Sequence, residues 1–377
     1  MSNDFNEKTH EVEQHKVNCK DCGAILQYDP GVEQLTCQYC GAQNEIAEAK
    51  QPVVVEEIDY HEFLQNAERN AEAMDIPTVK CDNCGASTTL KENVTADNCP
   101  FCGTALVIKG GTTSHIVKPK YLLPFKIDKK KSADLFKEWL HGLWFAPNDL
   151  KQFAQKDRLN GIYIPYWTYD SKATTPYTGM RGDHYYVSES YTVTVNGRTE
   201  HRTRQVQKTR WSPASGTVYN TFDDVLVVAS ESLPRNYANE LEPWDLENLV
   251  GFNEQFLSGF IAEKYQIGVE MGFEQAKKRM DPEIQGTICQ NIGGDVQKIL
   301  TYSPHYEDIS FKHLLLPIWL SAYKYKVKSY RFMINGRTGE VHGERPYSAW
   351  KIFFFVLTLL AVIGGGIYLW VQYGQSE

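Results

Sequence analysis

Residues 19–41 read CKDCGAILQYDPGVEQLTCQYCG, and residues 81–103 read CDNCGASTTLKENVTADNCPFCG. Each stretch holds two C-x-x-C-G knuckles with fourteen residues between them, and the second stretch follows the first at a period of 62. Two intervening residues let both sulfurs of a knuckle face one ion, and the glycine after the second cysteine permits a tight turn with positive φ. Two knuckles complete a tetrahedron of sulfur, the donor set of structural zinc. A module this short has too little apolar interior to fold unaided, so the metal supplies the missing stability. Cys19, Cys22, Cys37 and Cys40 are the expected ligands of one ion, and Cys81, Cys84, Cys99 and Cys102 those of a second. Sites closed by four protein sulfurs are architectural and not catalytic.

Iron is the alternative occupant, because Cys99-Pro-Phe-Cys102-Gly103 resembles a rubredoxin knuckle and both metals accept tetrahedral sulfur. Disulfides are disfavoured by the expected cytoplasmic placement of these residues. Cys289, remote from every knuckle, reads as a structural thiol.

The other end of the chain carries the second decisive stretch. From Ile352 to Val371 it reads IFFFVLTLLAVIGGGIYLWV, with Thr358 the single conventionally polar side chain. Twenty helical residues rise about 30 Å, the thickness of the hydrocarbon core. Trp350 on one flank and Tyr368, Trp370 and Tyr373 on the other are the rings that favour a lipid–water boundary. Arg337, Arg345 and Lys351 precede this span, whereas the tail after it holds no Lys or Arg. Basic residues stay on the cytoplasmic side, so the bulk of the chain is expected in the cytoplasm with a short C-terminal tail outside. The opening Met1-Ser-Asn-Asp-Phe5 does not have the form of a secretory signal. Ala361 and Gly365 form a small-xxx-small pair that would let two spans approach as a dimer.

Between these ends, the 377 residues divide into a polar tail (1–14), zinc ribbon 1 (15–50), a helical spacer (51–77), zinc ribbon 2 (78–109), a body (118–347) and the anchor (350–373). The spacer helix is expected over Glu56–Met74. In the body, Ser132 is expected to cap a helix over Ala133–Leu143, Pro147 to open another, and Asn253–Met280 to form a long one. Asn196-Gly197 and Asn335-Gly336 read as hairpin turns. Each follows a Pro-interrupted aromatic stretch, Tyr163-Ile-Pro-Tyr-Trp167 and Leu315-Leu-Pro-Ile-Trp319, an echo that suggests internal duplication of a β unit. The fold class is therefore α+β: two tandem four-cysteine zinc ribbons, a β-rich body and one transmembrane helix.

Charge narrows the function. Thirty-nine Lys and Arg against 47 Asp and Glu give a net charge of −8, the wrong sign for a protein held mainly by nucleic-acid phosphates. The ribbons carry −2 (15–50) and 0 (78–109), which disfavours them as phosphate readers. Two local basic features stand out: Arg198, Arg202, Arg204, Lys208 and Arg210 on one ribbon face, and Lys324, Lys326 and Lys328, which would face anionic lipid. His10 and His15 are five apart and so miss the zinc-protease spacing, and neither a phosphate loop nor a G-x-S-x-G elbow is present. No enzyme is expected, although Asp170, Asp183 and His184 leave room for a pocket in the body.

The four knuckles, Trp144-Phe-Ala-Pro-Asn148, Ile162-Tyr-Ile-Pro-Tyr-Trp167, Leu316-Pro-Ile-Trp319 and Asn335-Gly-Arg-Thr-Gly339 together resemble bacterial membrane-anchored tandem zinc-ribbon proteins. These are the YdjG-like group with ribbons of the transcription factor IIB type, often mislabelled as replication-restart helicases. The resemblance implies a non-enzymatic membrane scaffold in envelope stress, with phage-shock and stomatin/prohibitin-like proteins as partners. The competing readings are a tethered nucleic-acid-binding protein and an enzyme in the body.

Overall fold

A computed structural model describes residues 18–24, 26–32, 34–46, 55–65, 73–81, 86–89, 96–99, 101, 105–107, 112–148, 150, 159–195, 198–325 and 328–373. The first module is a three-stranded antiparallel sheet of β1 (Gln27–Tyr28), β2 (Gln34–Thr36) and β3 (Gln43–Glu45). After it come β4 (Ile58–Asp59) and the short helix α1 (Tyr60–Gln65). In the second module, β5 (Ala73–Lys80) lies between β6 (Ser87–Thr89) and β9 (Thr112–Val117), while β7 (Ala96–Asn98) pairs with β8 (Ala105–Val107).

The spacer therefore differs from its expectation. Among the described residues of the spacer, helix spans Tyr60–Gln65, because Ile58 and Asp59 are drawn into pairing with the body, and Ala73 and Met74 belong to strand β5. Residues 66–72, which the expected helix also covers, lie outside the described set.

The body is built on one ten-stranded sheet. It contains β4, β10 (Tyr121–Leu122), β11 (Asn160–Val195), β12 (Arg198–Val228), β13 (Val250–Gly251), β14 (Ile261–Ala262), β15 (Val296–Tyr302), β16 (His305–Tyr325), β17 (Lys328–Asn335) and β18 (Val341–Gly343). Helices α2 (Lys129–Gly142), α3 (Arg235–Glu240) and α4 (Val269–Ile292) pack around it, and α5 (Ala349–Tyr373) ends the described chain.

Local chemistry moves two helix starts. Asp128, not Ser132, caps α2: its carboxylate accepts from the Lys131 amide at 2.6 Å, while the buried Ser132 hydroxyl donates to the Lys129 carbonyl. An acidic side chain meets the unpaired amides of a first turn well. The helix expected over Asn253–Met280 is interrupted by Gly259, at φ 89°, and begins only after Gly268. The long helix α4 then buries Val269, Phe273, Ala276, Met280, Ile284, Ile288 and Ile292, close to a four-residue spacing that puts one stripe against β11 and β12. Of the element expected from Pro147, most residues lie outside the described set.

The two Pro-interrupted stretches face each other across the sheet: Tyr163 pairs with Pro317, and Pro165 with Leu315. Val195 and Arg198 are partners across β11 and β12, and Asn196-Gly197 between them lie outside the described residues. Asn335 ends β17, and its buried side chain accepts from the amides of Arg337 and Thr338 in the loop to β18.

Strand direction orders the molecule. The strand β16 runs against β11, β17 returns, and β18 runs with β16 again. The chain thus leaves the sheet toward α5 at the end opposite the β11–β12 turn. Beyond Gly182 and Trp211 that hairpin is a two-stranded arm, thirteen residues to a strand (183–195 and 198–210), of roughly 40 Å contour.

Candidate metal centre

The two knuckles of the first module share one backbone design. The Cys19 amide donates to the Ala24 carbonyl at 2.7 Å and the Gly23 amide to the Cys19 carbonyl at 2.9 Å. In the second knuckle Cys37 donates to Ala42 at 2.8 Å and Gly41 to Cys37 at 2.9 Å. Gly23 and Gly41 have φ of 75° and 76°, the left-handed turn for which the sequence reserves glycine. Wrapped in this way, Cys19, Cys22, Cys37 and Cys40 place their sulfurs within 4.8 Å of one another, with Cys19–Cys40 at 3.6 Å and Cys22–Cys37 at 3.5 Å. A metal–sulfur bond of about 2.3 Å gives a tetrahedral edge of about 3.8 Å, so the cage fits a zinc-sized ion.

Electrostatics prepare half of the cage. The Cys22 and Asp21 amides directed at the Cys19 sulfur hold its thiol down to about 6. Amides of Cys40 and Tyr39 lower Cys37 in the same way. At Cys40 the Ala42 amide pulls downward, but the thiols of Cys22, Cys19 and Cys37 prevail and push it up to about 12. Cys22 is also raised; there the Ala24 amide lowers it, and the Cys37 thiol and burial prevail. One thiol of each knuckle is thus shifted toward the thiolate, and the other would give up its proton to a bound ion.

This module is not a free appendage. Leu26, Tyr28, Leu35, Cys19 and Cys37 share a core with Phe125, Phe136, Tyr163, Phe256 and Trp319 of the body. The Tyr28 hydroxyl donates to the Phe125 carbonyl at 3.2 Å, its amide donates to the Ser258 carbonyl at 3.0 Å, and its ring meets Phe256 edge-on at 5.2 Å. Cys22, Cys40 and Tyr39 face solvent.

In the second module Cys81 and Cys99 are buried, and the Cys81 amide donates to the Ala86 carbonyl at 2.8 Å, repeating the bond of the first two knuckles. Cys84 and Cys102 lie outside the described residues. Cys289 is on α4.

The structure does not bring together the residues considered for a pocket in the body. Asp170 sits at a bulge in the sheet, while Asp183 and His184 are at the root of the arm, thirteen residues further along β11. Asp183 pairs with Arg181, and the His184 ring faces the Thr209 hydroxyl. A second group of converging carboxylates, Asp170, Asp223 and Asp224, has the Lys312 ammonium 3.2 Å from Asp170 and 2.7 Å from Asp224. A built-in cation thus stands against this group, of which the sequence reading singled out Asp170 alone; the signal for the rest was Lys312, set beside the apolar run of β16.

On the arm, every Asp, Glu, Lys and Arg shares one face. Residues 198, 202, 204, 208 and 210 of β12 lie opposite odd-numbered residues of β11, so all five cations join Asp183, Tyr185, Glu189 and Tyr191. The Arg204 guanidinium lies over Tyr191 at 5.6 Å and that of Arg210 over Tyr185 at 5.3 Å, while Glu189 pairs with Arg204 and Lys208. The other face is Ser, Thr, Gln, His and Tyr186. Of the lysines near the second hairpin tip, Lys326 lies outside the described residues.

Among the described residues α5 contains one stretch, Ala349–Tyr368, long and apolar enough to cross a membrane, and its side chains are exposed. Of the basic residues before Ile352, Arg337 is held by the Asp245 carboxylate, and Arg345 and Lys351 stand nearest the apolar run.

Fold and site together define a mixed α+β protein with a β-rich body, an N-terminal four-cysteine cluster suited to a metal such as zinc, and a long apolar C-terminal helix. The chain is a distant full-length homologue of the uncharacterized protein YdjG of Bacillus subtilis (strain 168), with 26% identity over 353 residues, 93% of this chain and 94% of that one. No family model and no solved structure matches it.

Proposed function

We propose that the chain is a single-pass membrane scaffold whose cytoplasmic bulk recruits protein partners to the inner face of the cell membrane. The observation that carries this reading is the opposed placement of two exposed elements: the apolar helix α5 leaves one end of the sheet, and the charged, aromatic arm projects from the other. An anchor that confines a docking surface to the membrane raises the effective concentration of whatever docks there. In this proposal the ion of the first four-cysteine cage fastens its ribbon to the body. Cys81, Cys84, Cys99 and Cys102 hold a second ion, on the strength of the repeated spacing and the Cys81–Ala86 bond. The cytoplasmic placement rests on Arg345 and Lys351 before the span. The role in envelope stress, with phage-shock or stomatin/prohibitin-like partners, rests on the resemblance of motifs.

A nucleic-acid reading draws on the Arg- and Tyr-bearing face of the arm. Glu189, Glu200 and Asp183 are interleaved on that face and would repel phosphates at their close spacing, which favours a protein partner of mixed charge. Photo-crosslinking from Tyr191 in intact cells, followed by detergent extraction and mass spectrometry, tests the proposal. Protein adducts in the membrane fraction are expected; recovery of nucleic acid, or no adduct from Tyr191, overturns it.

A further inference from the structure

The motif Trp144-Phe-Ala-Pro147 follows α2 in sequence but belongs, by its contacts, to the head of α5. The Ser348 amide donates to the Phe145 carbonyl at 2.8 Å. The Lys351 ammonium donates to the Ala146 carbonyl, also at 2.8 Å, and the Phe145 ring meets Phe355 edge-on at 5.3 Å. Three separate contacts therefore fix this loop against the first turns of the helix.

Depth follows from helix geometry. Phe355 lies four residues beyond Lys351, about 6 Å further along the axis. A lysine at the start of a span keeps its ammonium among the headgroups. With Lys351 at that level, Phe355 and the Phe145 ring against it stand where the acyl chains begin. Trp144, next to Phe145, is 77% exposed, and Tyr347 and Trp350 beside the helix are exposed as well. Such rings, apolar in body and polar at one edge, favour the headgroup–acyl boundary.

We propose that the Trp144–Pro147 loop is a second membrane contact, a wedge seated in the phospholipid boundary beside the span. This rests on reading α5 as the anchor. The occupant is lipid because the loop is continuous with the span and level with its first apolar turns. A helix alone leaves the body free to swivel about its axis. A second, off-axis contact sets the tilt of the sheet and holds the β11–β12 arm pointing away from the bilayer.

The test uses the full chain in phosphatidylcholine–phosphatidylglycerol vesicles. A fluorescent noncanonical residue is placed at position 144, 361 or 219, one at a time, which leaves the cysteines untouched. Lipids carrying nitroxides at different depths quench it. Position 144 is expected about 5–10 Å into the boundary, with 361 near the bilayer centre and 219, exposed on β12, in water. A residue at 144 quenched no more than one at 219, with 361 still deep, overturns the wedge and leaves the anchor intact. A residue at 361 that stays in water overturns both.

Discussion

Lys312 Nζ lies 2.7 Å from an Asp224 carboxylate oxygen, and the same ammonium reaches Glu57 at 3.1 Å and Asp170 at 3.2 Å. The lysine is buried at 4% side-chain exposure. Asp224 adopts φ 51°, unusual outside glycine, and its amide donates to Asp170. Three acidic side chains from separate parts of the chain thus share one cation, which ties the segment bearing Glu57 to the bulge in β11. Lys312→Met leaves these carboxylates without their partner and is expected to lower unfolding free energy by about 3–5 kcal/mol. Denaturant titration measures the loss, and adding Asp170→Asn should recover part of it.

The same cluster sets a pH dependence. Burial, and then the hydrogen bond with Glu57, push Asp170 up to about 7, so in the folded chain it keeps a proton that the unfolded chain releases near pH 4. The folded state binds the extra proton between those values, so this contribution is full below about pH 4 and is lost as pH rises through 7. Glu57 behaves oppositely. The Asp170 carboxyl hydrogen-bonded to it, with Ser310 and Lys312, holds it down to about 2, so its contribution is present above about pH 4 and lost as pH falls toward 2. The difference in stability between wild type and Asp170→Asn isolates the first term from any metal effect. It should shrink steadily from pH 4 to 7; a difference that is flat or grows rejects the assignment.

Two glycines on α4 predict opposite outcomes. A Cβ at Gly272 would overlap the Tyr169 hydroxyl, which donates to the Val269 carbonyl, and would come within 2.9 Å of Trp167. A Cβ at Gly286 meets nothing within 4 Å. Gly272→Ala is expected to cost about 1–3 kcal/mol by overpacking. Gly286→Ala is expected to stabilise by about 0.4–1 kcal/mol, because it restricts the unfolded chain. Thermal melts of the two variants decide the pair.

What the sequence disclosed was local and periodic. The two knuckles of the first module, the apolar run of α5 and the shared face of the arm cations all follow from spacing within a few residues. The α2 cap was misread because Asp128 and Ser132 both precede the apolar stripe, and only the backbone geometry selects the acid. The spacer failed because β4 forms by pairing Ile58 with Phe311, a partner some 250 positions away that no local propensity encodes. The same distance hid the Lys312 cluster and the burial of Tyr28 beneath Phe256. The length of the arm was hidden too, since a polar run rich in Ser, Thr and Arg signals exposure and not extended pairing.

Metal removal tests the coupling between cage and body. Because Leu26, Tyr28 and Leu35 pack into the same core as Phe125 and Phe256, losing the ion should loosen body and ribbon together. Elemental analysis of purified wild type should give two zinc per chain, and Cys37→Ser should retain one. The variant should also melt at a lower temperature and expose a new proteolytic cut near Ser258, which donates to the Leu26 carbonyl at 2.5 Å. A Cys37→Ser chain with wild-type melting would mean that the ribbon folds on its hydrophobic contacts alone.

Function is tested by shortening the arm. Tyr185 and Lys208 are directly paired, as Val195 and Arg198 are at the native turn. Replacing residues 186–207 with Asn-Gly therefore closes a shorter hairpin in the same register. The bond between the His184 amide and Asp295, 2.6 Å long, stays below the cut. A two-stranded ribbon contributes little to the core, so melting temperature, metal content and membrane fractionation should match wild type. Recovery of crosslinked protein partners from intact cells, with the photoreactive residue at Tyr185 in both chains, should fall to background in the shortened chain. If the same partners persist, recruitment belongs to another surface, and the exposed knuckle edge around Tyr39 becomes the next site to alter.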